Sequence, residues 1–171
     1  MKANQPRVGI LVGSDSDWEV MAAAAERLDA LGVPYEVTVT SAHRAPQRTA
    51  AYASEARGRG LQVLIAGAGL AAHLAGVVAA HTTLPVIGVP LECGALRGMD
   101  ALLATVQMPP GVPVATVAIG KVGAENAAIL AAQILALHDE HLATRLTAFK
   151  AELARQVEDK DARLKQQHRR A

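Results

Sequence analysis

Ser41, His43 and Arg44 fall within one short string, Ser41-Ala42-His43-Arg44-Ala45-Pro46. They offer a hydroxyl, an imidazole that gives and takes a proton near neutral pH, and a guanidinium whose planar fork of donors clamps a phosphate or carboxylate. Such a set can hold an anion and move a proton beside it. The flanking residues show how the set is carried. Tyr35 to Thr40 is rich in β-branched and aromatic residues and reads as a strand. Gln47 to Arg59 carries alanines and charges at helical spacing and stops at Gly60. Pro46 suits the first helical position, where an N–H is not needed. The string is therefore a strand-to-helix turn. In the plainer reading, Ser41 caps the helix and His43 and Arg44 are solvated turn residues.

Two more turns carry unusual residues. Gly13-Ser14-Asp15-Ser16-Asp17 follows the apolar run Arg7 to Val12 and precedes a helical pattern from Trp18 to Leu31. Ser14, Ser16 and Asp17 are N-cap candidates, and a helix N-terminus offers free N–H groups to an anion. Capping explains one such residue but not the whole string. The third turn, Gly67-Ala68-Gly69-Leu70-Ala71-Ala72-His73-Leu74, follows a strand at Gln62 to Ala66 and leads into a helix ending near His81. Its glycines permit close backbone approach and positive φ. The string also satisfies the weak dinucleotide pattern G-x-G-x-x-G/A, with Glu92 beyond it, which leaves a nicotinamide-dependent oxidoreductase as a rival. His73 at an alanine-rich helix start has an ordinary reading as a packed or capping histidine.

The elements that must position these turns alternate regularly. Pro85 to Val89 and Val114 to Ile119 read as strands four and five, with helices over Gly98 to Val106 and Ala124 to His138. Five strands alternating with helices predict a parallel sheet covered on both faces, a three-layer α/β/α sandwich. All three turns then fall at strand C-terminal ends, where doubly wound sheets bind ligands. The α/β core spans about 7–138, a C-terminal helix about 139–165 and a frayed tail 166–171, all one catalytic domain. Ala124 to Leu137 is apolar nearly all round. Full burial of each of its larger side chains is worth about 1.5–3 kcal/mol, which predicts a subunit interface and a homo-oligomer. The amphipathic stripe Leu142, Leu146, Phe149, Leu153 and Val157 predicts packing on a neighbour or on the same domain.

Composition narrows the partners. Of 171 residues, 51% are hydrophobic but only 2% aromatic, which predicts a core of Ala, Val, Leu and Ile and argues against a flavin sandwiched by rings. Seventeen basic against 16 acidic residues leave +1, with no basic stripe, so no nucleic acid is expected. Cys93 is the single cysteine, which fits a reducing cytoplasm. Met1 to Arg7 has no signal-peptide core and no apolar run spans a membrane, so a cytoplasmic location without a membrane partner is expected.

Five ordered motifs resemble one family. They are Gly13 to Trp18, Ser41 to Arg44, Ala66 to Gly69, Ala71 to Leu74, and Val106-Gln-Met-Pro109 with Gly111-Val-Pro-Val-Ala115. The family is the class I 5-(carboxyamino)imidazole ribonucleotide mutases of de novo purine biosynthesis, and the resemblance covers residues 7–150. It implies a flavodoxin-like fold and an octamer, and a ribonucleotide whose carboxylate moves from the exocyclic amine to C4 without metal or cofactor. By motif, Ser14, Asp17 and Arg44 would hold the ribose phosphate with Ser41 beside them, and His43 would be the catalytic proton shuttle. Gly67, Ala68 and Gly69 would line the carboxylate and carbon dioxide site, with His73 and Leu74 next to it. Two positions depart from the family, which usually carries glycine at 70 and proline at 75. A helix already begun at Ala71 would give Leu70 a negative φ, so the loop is expected to keep its path with a bulkier wall.

Overall fold

The computed structural model describes residues 5–168. Its five strands are β1 (Val8–Val12), β2 (Tyr35–Val39), β3 (Val63–Gly69), β4 (Val86–Leu91) and β5 (Ala115–Thr116). The helices are α1 (Trp18–Ala30), α2 (Pro46–Glu55), α3 (Leu74–Ala80), α4 (Met99–Val106), α5 (Gly120–Ala136) and α6 (Glu140–His168). All strand pairs are parallel and the sheet order is β2-β1-β3-β4-β5. This is the flavodoxin-like doubly wound order, which reverses direction between β1 and β3. The predicted three-layer α/β architecture with an added C-terminal helix is the one observed.

Side chains alternate across the sheet, as the period of a strand requires. Val8, Ile10, Val12, Val63, Ile65, Ile87 and Val89 face α1 and α5 in one core. Leu11, Leu64, Ala66 and Val86 face α2 and α3 in a second. Aliphatic strands buried on both faces explain the almost unbroken apolar runs in the sequence.

Several boundaries differ from expectation. β3 runs to Gly69 rather than stopping at Ala66, because Gly67, Ala68 and Gly69 pair with Val89, Pro90 and Leu91 of β4. α3 begins only at Leu74, not at Ala71. Leu70 has φ 55°, against the negative value expected, and this left-handed residue ends the strand without starting a helix. α2 ends at Glu55 rather than Arg59. β5 is reduced to two residues, and α5 starts four residues early, at Gly120. Gly123 permits that start, since a Cβ there would lie 1.7 Å from the Ala118 carbonyl oxygen.

The all-round apolar helix does not by itself require another subunit. Ala124, Ala127, Ala128, Ala131, Ala132 and Leu135 are buried, and Leu130 and Ile134 pack against the same core. α1, the sheet and α6 surround α5 from different sides, which a reading from one sheet face could not foresee. Apolar surface is exposed elsewhere, on Met99, Leu103 and Val106 of α4 and on Val37 and Val39 of β2. In α6, Leu142 is buried and Leu146 packs on the core, while residues 151–168 are exposed throughout. The helix continues past the expected end near 165 to His168, and the rest of the expected frayed tail lies outside the described residues.

Candidate active site

The three unusual turns do converge. A cavity of about 430 Å³ opens at the C-terminal ends of β1, β2 and β3, next to the point where strand order reverses. Ser14 and Asp17 line it from the first turn, Ser41, His43 and Arg44 from the second, and Ala68, Gly69 and Leu74 from the third. Gly13 N–H donates to the Gly67 carbonyl at 3.3 Å, tying the first turn to β3 at that point.

The first turn is a short 3₁₀ segment, Asp15–Asp17, that feeds α1. Ser14 N–H donates to Asp17 Oδ2 at 2.9 Å, fixing the carboxylate at the turn's mouth. Burial pushes the Asp17 carboxyl above the usual carboxylate value, outweighing the Ser14 and Gly13 N–H groups that favour its anion. Neighbouring Asp15, fully exposed, is held below that value by the Ser14 hydroxyl and the Ser16 N–H. The Ser14 hydroxyl donates to Asp15 Oδ1 at 3.0 Å, so it belongs to the turn's polar network.

In the second turn, Ser41 Oγ accepts the Arg44 N–H at 3.2 Å and Pro46 opens α2 as the first residue. Ser41 therefore closes the turn, while Ala45 occupies the cap position that the plainer reading gave to Ser41. Arg44 reaches across to donate from Nη2 to the Gly13 carbonyl at 3.3 Å, which leaves other guanidinium donors for a ligand. His43 Nε2 lies 2.9 Å from His73 Nδ1, the two rings meeting edge to face at 82°. One nitrogen of the pair must donate and the other accept, so each ring fixes the tautomer of its neighbour.

His73 gets there because the third turn winds tightly. Ala72 N–H donates to the Leu70 carbonyl and His73 N–H to the Ala71 carbonyl, both at 2.8 Å. The positive φ of Leu70 sets this path and costs on the order of 1–2 kcal/mol for a residue with a Cβ. Gly69 allows close approach, since a Cβ there would lie 2.9 Å from Cys93 Cβ.

Two proposed site residues, Gly67 and His73, do not line the cavity. A Cβ on Gly67 would lie 2.5 Å from Met21 Sδ, so the missing side chain makes room for α1 and not for a ligand. Strand alternation explains this, for Gly67 faces the side of the sheet opposite Ala66 and Ala68. His73 is linked to the cavity through its contact with His43, which lines it. Ser16, Ala42, Leu70, Ala71 and Cys93 also line the cavity and were missing from the candidate set. Cys93 was findable, because it lies two residues past the C-terminal end of β4. Among the described residues, no cluster of three His, Cys, Asp or Glu side chains could hold a metal ion.

Fold and site together define a class: a flavodoxin-like α/β protein whose switch-point cavity brings together serine hydroxyls, a carboxylate, a guanidinium and an imidazole. The AIR carboxylase family profile matches residues 7–156. N5-carboxyaminoimidazole ribonucleotide mutase of Bacillus subtilis is 63% identical over 142 residues, 83% of this chain and 88% of that protein. The protein of the same name from Pyrococcus horikoshii is 52% identical over 166 residues, 97% of this chain and 93% of its own. Among solved structures, Treponema denticola PurE superposes with a TM-score of 0.85 at 28% identity, covering 94% of this chain and 99% of that one. The chain belongs to the AIR carboxylase family.

Proposed function

We propose that this protein is an N5-carboxyaminoimidazole ribonucleotide mutase of purine biosynthesis. It converts 5-carboxyamino-1-(5-phosphoribosyl)imidazole to the 5-amino-4-carboxylate isomer. The carrying observation is the convergence of Ser14, Asp17, His43 and Arg44 on one cavity in a chain of this family. In the first step the carbamate N–C bond breaks, the nitrogen takes a proton and carbon dioxide is released. In the second, C4 attacks carbon dioxide and loses its own proton. His43 serves both steps, because an imidazole both gives and takes a proton near neutral pH. The His43–His73 contact supports this role by orienting the ring. Arg44, Ser14 and Asp17 hold the ribose phosphate end, with Ser41 shaping the turn, while Ala68, Gly69 and Leu74 wall the carboxylate end.

The nicotinamide reading loses its footing here. Its first glycine is packed on Met21, and α3 starts five residues after Gly69. The proposal includes a homo-oligomer, an octamer by the resemblance, which the exposed apolar stripe of Met99, Leu103 and Val106 supports. It also includes cofactor-free chemistry and a cytoplasmic location. A free, exposed Cys93 supports the latter. The deciding assay incubates the protein with N5-carboxyaminoimidazole ribonucleotide and follows the C4-carboxylated isomer. Formation no faster than the uncatalysed background would overturn the reading.

A further inference from the structure

Leu70 is an anomaly in the cavity wall. Its φ of 55° is a conformation that a bulky L-residue seldom takes, and its side chain is 52% exposed, so burial within the chain does not compensate. Backbone strain of this kind clusters at active sites and ligand clamps. The side chain lies along a seam. On one side is its own turn between β3 and α3; on the other is the loop 92–98 between β4 and α4, whose residues 92–97 are exposed. The two loops meet at two points. Gly69 abuts Cys93, and Leu70 Cδ2 lies 3.1 Å from where a Cβ on Gly94 would sit. Gly94 thus leaves the space that the leucine fills, and its own φ of 68° keeps it a glycine. Leu70 and Cys93 both line the cavity, so the place where the two loops meet forms part of its wall.

Resting on the mutase reading, we propose that Leu70 is a retention residue: its isobutyl group seals the seam between the two loops and keeps released carbon dioxide in the cavity. Between breaking of the N–C bond and formation of the C4–C bond, no covalent bond holds the gas. An apolar, water-excluding wall is then what separates recapture from escape. The side chain acts by closing a path and takes no part in proton transfer, which stays with His43.

The test is turnover of N5-carboxyaminoimidazole ribonucleotide in buffer containing ¹³C-bicarbonate, with wild type, Leu70→Ala and Leu70→Gly. The readout is the ¹³C fraction of the C4-carboxylate at low conversion, together with the decarboxylated amine formed above background. Wild-type product should carry little label. Both variants should raise label and decarboxylated amine several-fold; Leu70→Ala keeps the left-handed strain and Leu70→Gly removes it, so a shared effect reports the lost side chain. Equal label in all three proteins would overturn the proposal while leaving the mutase reading intact. A wild type that forms no C4-carboxylate would overturn both. The contact itself is checked by a stability cycle with Gly94→Ala. That change should cost less stability in the Leu70→Ala background than in wild type, and additive effects would show that the two loops are not joined through Leu70.

Discussion

His43, Arg44 and Asp17 carry different tasks, so their substitutions should separate kinetically. His43→Asn keeps shape and some hydrogen bonding but cannot shuttle a proton. Turnover should fall by about 10²–10⁴-fold, with substrate affinity nearly unchanged; a variant that retained most of the wild-type rate would remove His43 from the chemistry. Arg44→Lys should weaken affinity more than Ser14→Ala, since an ammonium replaces neither the fork nor the bond to the Gly13 carbonyl. Isothermal titration ranks them. Asp17 adds a stability signature. Its pKa is raised by burial, so the folded protein binds a proton more tightly than the unfolded chain. Stability from this group is full below the ordinary carboxylate range and is lost as pH rises through the raised value. Asp17→Asn should therefore raise Tm at neutral pH and lose that advantage below about pH 3.9, the unperturbed value. An advantage that grew on acidification would contradict the assignment.

At the scale of elements, β3 shows how one strand divides its glycines between packing and site. Gly67→Ala drives a methyl into Met21, which is fully buried, and overpacking of this kind costs about 1–3 kcal/mol. Gly69→Ala instead presses on Cys93 and the loop 92–98 beside the cavity. Urea unfolding and substrate titration should separate the two, the first variant losing stability and the second losing affinity. The opposite pattern would mean that the packing and site roles of the two glycines are assigned the wrong way round. The same strand explains the misplaced start of α3. Alanines after Leu70 read as helix, yet a left-handed residue at 70 and two tight turns delay the helix to Leu74.

Across the whole molecule, the apolar surface lies away from where the sequence put it. α5 is enclosed by α1, the sheet and α6, whereas Met99, Leu103 and Val106 on α4 are 52%, 53% and 47% exposed. Their spacing of four and three residues places them on one helix face. Light scattering should find an oligomer for the wild type and a smaller species for Leu103→Asp, with secondary structure retained. A wild-type monomer at micromolar concentration would end the oligomer reading.

The sequence alone settled what depends on local pattern. Period and punctuation gave five strands, their helices and the class of fold, and Ser14, Asp17, Ser41, His43 and Arg44 could be gathered because each sits just past a strand's C-terminal end. Those are properties of short segments and of the handedness of parallel crossovers. Only the tertiary structure decided that Gly67 makes room for Met21 while Gly69 lies against Cys93 at the cavity, because both share one face of β3 and differ in the neighbour packed on it. Only it could pair His43 with His73, thirty residues apart, or set Leu70 against Gly94. The backbone angle at Leu70 was illegible for the same reason. A leucine's own preference is for negative φ, so nothing in the local sequence announces the positive value observed.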